Sequence, residues 1–469
     1  MTIPSKLFRA YDIRGKVSDL STDVVFAIAH SLAQSFLDAQ QRHIAIGYDA
    51  RLASPHYAHI IQQVFESYHF KIEMVGLCST PLLFFTAQKF ANGNGIMITA
   101  SHNPKSDNGI KWICQNLPPS PSQIQQVGQN ANRFYQTGQQ LVAVNTTFHA
   151  ETAYQHYLSY IKQDIHLSQP FKIVLDGLHG SAGKIAQRIL SELGCEVIAL
   201  RCEANGHFPQ HAPDPSVEKH LTTLKQQVIA QQADLGIALD GDGDRLVLID
   251  ETGKMINADR TLCLFAEMCL TQYPYKEIAF DVKCSTMVKK TILQYHGVPK
   301  MIRTGSSFLR NYLLNSQGQA IFAGEFSGHY AFNDGRGLAF DDALYAGLRI
   351  LEYLNQSKQT LSQAFSRYPI RYASEDIYIP MFDYNTSQIL QHLIQHAHQL
   401  NAEVSQIDGV RFDFDNAFIN FRASNTSDCF TVRFDASSAE HLHQLQQQFA
   451  QLFADDYPKI TQQLQQISL

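Results

Sequence analysis

Short apolar runs alternate with longer amphipathic stretches along most of this 469-residue chain, the pattern expected of βα units. One arrangement occurs three times. IAIGYDAR (Ile44 to Arg51) is followed by GIMITASHNP, KIVLDGLHGSAG (Lys172 to Gly183) by LGIALDGDGDR, and EIAFDVKCST (Glu277 to Thr286) by AIFAGEFSGH. Each time a strand ends in an aspartate (Asp49, Asp176 or Asp281), and a later strand opens into a small polar loop. The intervals are too long for a solenoid repeat, so three similar α/β domains are expected. Near residue 367 the pattern changes to strand, helix (SQILQHLIQHAHQL), strands and helix (AEHLHQLQQQFAQLF), which predicts a smaller α+β domain. The expected boundaries are 1–148, 149–252, 253–366 and 367–469. LPPSPS, from Leu117 to Ser122, reads as a loop within the first domain.

Composition narrows the class. With 45% hydrophobic and 17% charged residues the chain is of ordinary globular type, and its length calls for roughly three or four domains. No apolar stretch is long enough to span a membrane, and MTIPSKLFRAYDIRG lacks an apolar signal core. The eight cysteines are scattered without a CxxC, which fits free thiols in a cytoplasmic protein. A net charge of -6 argues against nucleic-acid binding but leaves room for a small anionic substrate in a locally positive cleft.

In open α/β sheets ligands sit beyond the carboxyl ends of the strands, so TASHNP, DGDGDR and GEFSGH are candidates to line one shared cleft. DGDGDR is the sharpest. Asp240, Asp242 and Asp244 alternate with glycines, and three converging carboxylates repel one another unless a cation lies between them. Oxygen ligands suit Mg2+ or Ca2+. An EF-hand is excluded: Glu251 stands at the twelfth position from Asp240, but Arg245 occupies the sixth, where the turn needs glycine. Arg245 beside such a cation suits a phosphate group.

Within NGIMITASHNPKSDNGIK, Ser101 can be a helix cap, a turn residue or a nucleophile, and the local sequence by itself favours the cap or turn. His102 does not decide the matter, since neighbours on an extended chain point to opposite faces, and the GxSxG elbow is absent. A phosphoryl group near Asp240 to Asp244 makes Ser101 a candidate to carry it. In GEFSGH, Glu325 and Ser327 are hydrogen-bonding partners suited to sugar hydroxyls. RASNTSD (Arg422 to Asp428) lies between strand-like runs and gathers the parts of an anion cradle. Arg9, Arg14, Lys111 and Lys283 are basic residues near these loops.

Taken together, FRAYDIRG, TASHNP, DGDGDR, GEFSGH and RASNT, in that order and across essentially the whole chain, resemble the α-D-phosphohexomutase family, specifically its bacterial phosphomannomutase/phosphoglucomutase branch. The resemblance implies three related α/β domains plus a smaller fourth around a central cleft. It also implies interconversion of hexose 1-phosphate and hexose 6-phosphate, mannose or glucose, through a phosphoserine and a hexose 1,6-bisphosphate. Ser101 would then be the phosphorylated serine, and Asp240, Asp242 and Asp244 would hold Mg2+ with an oxygen of that phosphoserine. Arg14, Lys111 and Arg245 would surround the transferring group, with His102, Lys111 and Arg14 as acid/base candidates. Lys283, Glu325, Ser327 and His329 would meet the sugar phosphate, and Arg422, Ser424, Asn425 and Thr426 would grip the phosphate that is not transferred. A monomeric cytoplasmic enzyme acting on small hexose phosphates, without nucleic-acid or membrane partners, is expected. Two positions depart from the family: Ser306 in RTGSSFLR stands where the branch often has histidine, and Asp428 where proline is usual. Phe326 in GEFSGH resembles the mannose/glucose GEMSGH loop more than the GEQSGH of phosphoglucosamine mutases. That mutase remains the near alternative, followed by a metal-dependent sugar phosphatase and a non-catalytic sugar-phosphate-binding protein.

Overall fold

The computed structural model describes residues 2–135, 147–382, 384–423 and 429–467. It divides into two compact units, one formed by Met1–Ala258, Leu313–Gly318 and Ser327–Ala364, the other by Asp259–Tyr312, Gln319–Phe326 and Phe365–Leu469.

The first unit carries two sheets of one topology. Strands β1 (Ile13–Lys16), β2 (His43–Tyr48), β3 (Lys71–Leu77), β4 (Gly95–Ile98) and β5 (Asp107–Ile113) lie in the order β1-β5-β4-β2-β3. β2 pairs in parallel with β3 and β4, whereas β5 is antiparallel to both β4 and β1. Strands β6 (Lys172–Asp176), β7 (Glu196–Leu200), β8 (Leu235–Leu239), β9 (Leu246–Asp250) and β10 (Met255–Ile256) form the second sheet, ordered β10-β9-β8-β6-β7. Here β6 is parallel to β7 and β8, and β9 antiparallel to β8. In the second unit β11 (Glu277–Asp281) is parallel to both β12 (Val298–Ile302) and β13 (Ala320–Gly324). The parallel trio therefore recurs as β3-β2-β4, β7-β6-β8 and β12-β11-β13, which is the threefold repeat expected from the apolar runs. Every residue of β4, β8 and β13 is buried, as parallel-type strands covered on both faces require.

The helices begin where capping chemistry permits. Ser21 accepts from the Val24 N–H and Ser79 from the Leu82 N–H. Ser120 forms a full capping box with Gln123 and is followed by Pro121. The stretch read as a loop from Leu117 to Ser122 thus already contains the start of helix Pro121–Phe134.

The remainder of the second unit is an antiparallel sheet of strands Tyr372–Ala373, Cys429–Ala436, Ala417–Ala423, Val410–Phe414 and Glu403–Ser405 in that order, with Ile377–Pro380 also paired to Cys429–Ala436. One face, including Ile419, Phe421, Val432 and Phe434, packs on Leu393, Leu445 and Phe449. The other presents Asn420, Arg433 and Asp435, which are also buried. None of the eight cysteines is joined in a disulfide, and among the described residues no helix is long and apolar enough to cross a membrane.

Candidate functional site

Ser101 follows the buried strand β4, at the end facing away from its N-terminus, and is itself only 2% exposed. Its φ of +53° lies in the left-handed region, a strained conformation for a residue with a side chain. Two anchors hold it there. The Thr99 hydroxyl accepts from the Ser101 N–H at 2.8 Å and donates to Asp49 at 2.8 Å. Arg51, fully buried, donates to the carbonyls of Ser101 (2.8 Å), Asn103 (2.6 Å), Pro104 (2.7 Å) and Asp107 (3.0 Å). Because the backbone turns back at Ser101, His102 does not diverge as extended neighbours would. Its Nδ1 lies 3.2 Å from Ser101 Oγ, which corrects the reading from strand alternation.

Ser101 Oγ donates to Asp240 Oδ2 at 2.7 Å. The other oxygen of Asp240 accepts from the N–H groups of Gly243, Asp244 and Arg245 at 3.0, 3.0 and 3.1 Å, so the loop folds around this carboxylate. A Cβ at position 241 would collide with the Ser101 carbonyl oxygen, and Gly243 has a φ of +78°; glycine is what lets the two loops touch. Lys111, on β5, donates to Asp242 Oδ2 at 2.9 Å and Asp244 Oδ2 at 2.7 Å. Thr80 donates to Asp242 Oδ2 at 2.7 Å. Arg14, on β1, donates to Asp12 at 2.5 Å and to the Asn103 side chain at 3.0 Å.

His329 closes the cluster. Its Nε2 lies 3.1 Å from Asp244 Oδ1 and 3.7 Å from Asp341 Oδ2, and its Nδ1 lies 2.8 Å from Ser327 Oγ. Arg245 and His329 also form an isolated antiparallel backbone bridge.

Burial and charge set the electrostatics. Burial, reinforced by Asp244 and Asp242, pushes Asp240 well above the usual carboxylate range. Burial, joined at Asp242 by the charge of Asp244, opposes ionisation of Asp242 and Asp244, but Lys111 with Thr80 at the first, and Lys111 with His329 and Arg245 at the second, together overcome it, and both are held low. Lys111 is held above its ordinary range, since Asp242 and Asp244 overcome the burial that works against its charge. Burial, then Arg245 and Arg14, drives His102 well below the usual imidazole value.

Asp240, Asp242 and Asp244 each bring a carboxylate oxygen within 4.8 Å of the others. Asp242 Oδ1 is buried with no hydrogen-bond partner among the described residues, a costly state for a carboxylate. An all-oxygen donor set with an unsatisfied buried oxygen fits a hard divalent cation such as Mg2+.

The second unit holds Lys283, Glu325 and Arg422. Lys283 pairs with Asp376. Glu325 accepts from the Gly305 N–H, and Arg422 pairs with Asp408 at 3.0 Å. Asp281 receives the Phe326 N–H at 3.0 Å and the Thr304 hydroxyl at 2.8 Å; burial and then Glu325 raise its pKa. Ser306 opens helix Ser306–Asn315. Ser424, Asn425, Thr426 and Asp428 lie outside the described residues.

Arg51 and Asp341 carry no signal in the sequence pattern. Arg51 speaks to main-chain carbonyls roughly fifty residues away, a relation that leaves no side-chain pattern. Asp341 meets its partners only through the fold.

A strained serine bonded to one carboxylate of a buried trio, with Lys111 on the other two, thus lies in a repeated α/β frame. Three family models match in succession: phosphoglucomutase/phosphomannomutase alpha/beta/alpha domain I over residues 5–137, domain II over 155–253 and domain III over 257–372. The chain belongs to the phosphoglucomutase/phosphomannomutase family and is an isomerase of the hexose-phosphate mutase type. It is 34% identical over 449 residues to the phosphomannomutase/phosphoglucomutase of Pseudomonas aeruginosa, covering 96% of this chain and 95% of that one. It is also 34% identical over 452 residues to a phosphoglucomutase of Neisseria meningitidis, covering 95% and 96%. A crystal structure of a phosphoglucomutase/phosphomannomutase family protein from Burkholderia thailandensis superposes with a TM-score of 0.87 at 30% identity, covering 96% of this chain and 98% of that chain.

Proposed function

We propose that the protein interconverts the 1- and 6-phosphates of mannose and glucose through a phosphoserine at Ser101 and a hexose 1,6-bisphosphate. The observation that carries this reading is the 2.7 Å contact between Ser101 Oγ and Asp240, inside a buried trio of carboxylates neutralised by Lys111. The phosphoryl group on Ser101 passes to the free hydroxyl of the bound hexose phosphate. The P–O bond to serine breaks as the bond to the sugar oxygen forms; the proton lost by the sugar hydroxyl passes to a base in the site, and the released Ser101 oxygen takes up one proton, so that none is gained or lost overall. The bisphosphate reorients, and its other phosphoryl returns to Ser101.

Each residue has a task in this cycle. Arg51 and Thr99 hold Ser101 in its strained turn, which preserves in-line geometry. Lys111, Arg14 and Arg245 supply positive charge around the transferring group. His102 Nδ1, 3.2 Å from Ser101 Oγ, is placed to exchange the serine proton. Asp240, Asp242 and Asp244 would hold Mg2+, which when bound neutralises charge developing on the phosphoryl oxygens. Glu325, Ser327 and His329 read sugar hydroxyls, Lys283 meets the sugar phosphate, and Arg422 with Ser424, Asn425 and Thr426 grips the distal phosphate.

Conversion of mannose 1-phosphate and glucose 1-phosphate, with Mg2+ and a trace of glucose 1,6-bisphosphate, tests this beside a Ser101→Ala control. Isomerisation that the substitution abolishes is expected. Release of free phosphate without isomer would indicate a phosphatase instead, and exclusive turnover of glucosamine 1-phosphate would reassign the sugar.

A further inference from the structure

Three consecutive carbonyls of the Lys283 loop are captured by two arginines from the antiparallel sheet of the second unit. Arg411 donates to the Val282 oxygen at 2.5 Å and the Cys284 oxygen at 2.7 Å. Arg433, on strand Cys429–Ala436, donates to the Lys283 oxygen between them. A backbone held at three successive carbonyls fixes the point from which the Lys283 side chain departs, and Asp376 holds its ammonium.

Arg433 does a second thing. Its guanidinium lies 3.2 Å from the ring centroid of Phe326, the residue between Glu325 and Ser327. The same Phe326 gives its N–H to Asp281 at 3.0 Å. The loop is thus pinned by its backbone from one side and by its ring from the other.

The arrangement is costly. Arg433 is 1% exposed, yet its Nε and Nη2 make no hydrogen bond among the described residues. Asp259 Oδ2 stands 3.6 Å from Nη2, too far for one. A buried guanidinium normally fills its donors; this one leaves two nitrogens unsatisfied and faces an aromatic ring. An apolar side chain of similar size would pack there without that penalty.

We propose that Arg433 is a positioning residue that sets the affinity for the hexose phosphate, by fixing the Lys283 backbone and the Phe326 ring together. The inference rests on the hexose-phosphate mutase reading above. Phe326 is the intermediary: it transmits the position of Arg433 to Glu325, whose carboxylate receives sugar hydroxyls. Arg433 itself touches no substrate.

The test uses the full chain and four proteins: wild type, Arg433→Met, Phe326→Leu and the double variant. Initial rates with glucose 1-phosphate and mannose 1-phosphate give kcat and KM for each. Removing a group that orients the binding loops raises KM by about tenfold or more while kcat at saturation moves less than about threefold. Phe326→Leu shifts KM in the same direction. The double variant is no worse than the poorer single variant, because both substitutions interrupt one path. Effects on KM that multiply, or a fall in kcat with KM unmoved, overturn the inference. If Arg433→Met gives no cooperative unfolding transition, Phe326→Leu with the arginine intact carries the test, and an unchanged KM there overturns it. A wild type that turns over while the variants keep its KM removes this inference alone. A wild type that isomerises no hexose phosphate removes the mutase reading and this inference with it.

Discussion

The two units hold their polar residues in different ways. In the first, the candidate groups bind one another: Ser101 to Asp240, Lys111 to Asp242 and Asp244, His329 to Asp244. All are buried or nearly so, and the cluster is complete within a single unit. In the second, each candidate among the described residues is tied to a neighbour outside the candidate set: Lys283 to Asp376, Glu325 to the Gly305 N–H, Arg422 to Asp408. The strand-end aspartates show the same contrast. Asp49 and Asp176 are paired with Arg51 and Arg201, whereas Asp281 takes a hydroxyl from Thr304 and the N–H of Phe326. Of the three repeats, two hold their aspartate by an ion pair and the third bonds it to the backbone of the GEFSGH loop. Phosphoryl transfer gains from groups fixed in advance, while reading a sugar in two orientations needs partners that exchange.

This comparison breaks most sharply at the carboxylates. Asp242→Asn removes one charge from the trio and should lower kcat by about a hundredfold or more. Dialysis against a chelator should abolish turnover of the wild type, and Mg2+ should restore it. Full activity in the chelated protein would contradict a cation-dependent centre in the first unit.

Gly241→Ala tests how tightly the two loops of that unit must meet. The added Cβ collides with the Ser101 carbonyl, so kcat should fall by about tenfold or more, with a stability loss of about 1–3 kcal/mol. Rates and a urea titration on one preparation separate the two effects.

For the second unit the expected signature is different. Glu325→Gln, which keeps the shape and removes the charge, should raise KM by about tenfold and lower kcat less, as befits loss of ground-state binding. A larger fall in kcat than in affinity would move Glu325 into the chemistry and blur the distinction.

The smallest effect concerns pH. Burial pushes Asp259 up to about 6 from 3.8. A raised folded-state pKa means that the folded protein holds this proton more tightly than the unfolded chain. The contribution is therefore fully present below about pH 4 and is lost as pH rises through about 6, up to about 3 kcal/mol in all. Between pH 5 and 7.5 the wild type should lose about 1–2 kcal/mol that Asp259→Asn does not lose, read from urea midpoints at the two pH values. Parallel pH profiles for the two proteins would contradict the burial of an ionisable carboxylate there.

Much of this was legible in the sequence because it rests on local pattern. The threefold repeat follows from apolar runs that must be buried strands, and the carboxylate trio from aspartates alternating with glycines. What escaped depends on backbone conformation or distant partners. The contact of His102 with Ser101 needs the positive φ at Ser101, which reverses the alternation a strand would give. Arg51 acts on carbonyls, which every residue has. Arg433 acts on a carbonyl and a ring from another part of the chain. Pro121 and Ser122 read as loop because proline breaks helices in their interior, but at the first turn it begins one.

The proposed cycle stands on Ser101 as the carrier of the phosphoryl group. The most direct measurement is phosphopeptide mapping of the wild-type protein and Ser101→Ala after incubation with glucose 1,6-bisphosphate and Mg2+. The account predicts a single phosphorylated residue, Ser101, in the wild type and none in the variant. Phosphate at any other residue, or a wild type that is never phosphorylated yet still isomerises its substrate, would contradict it.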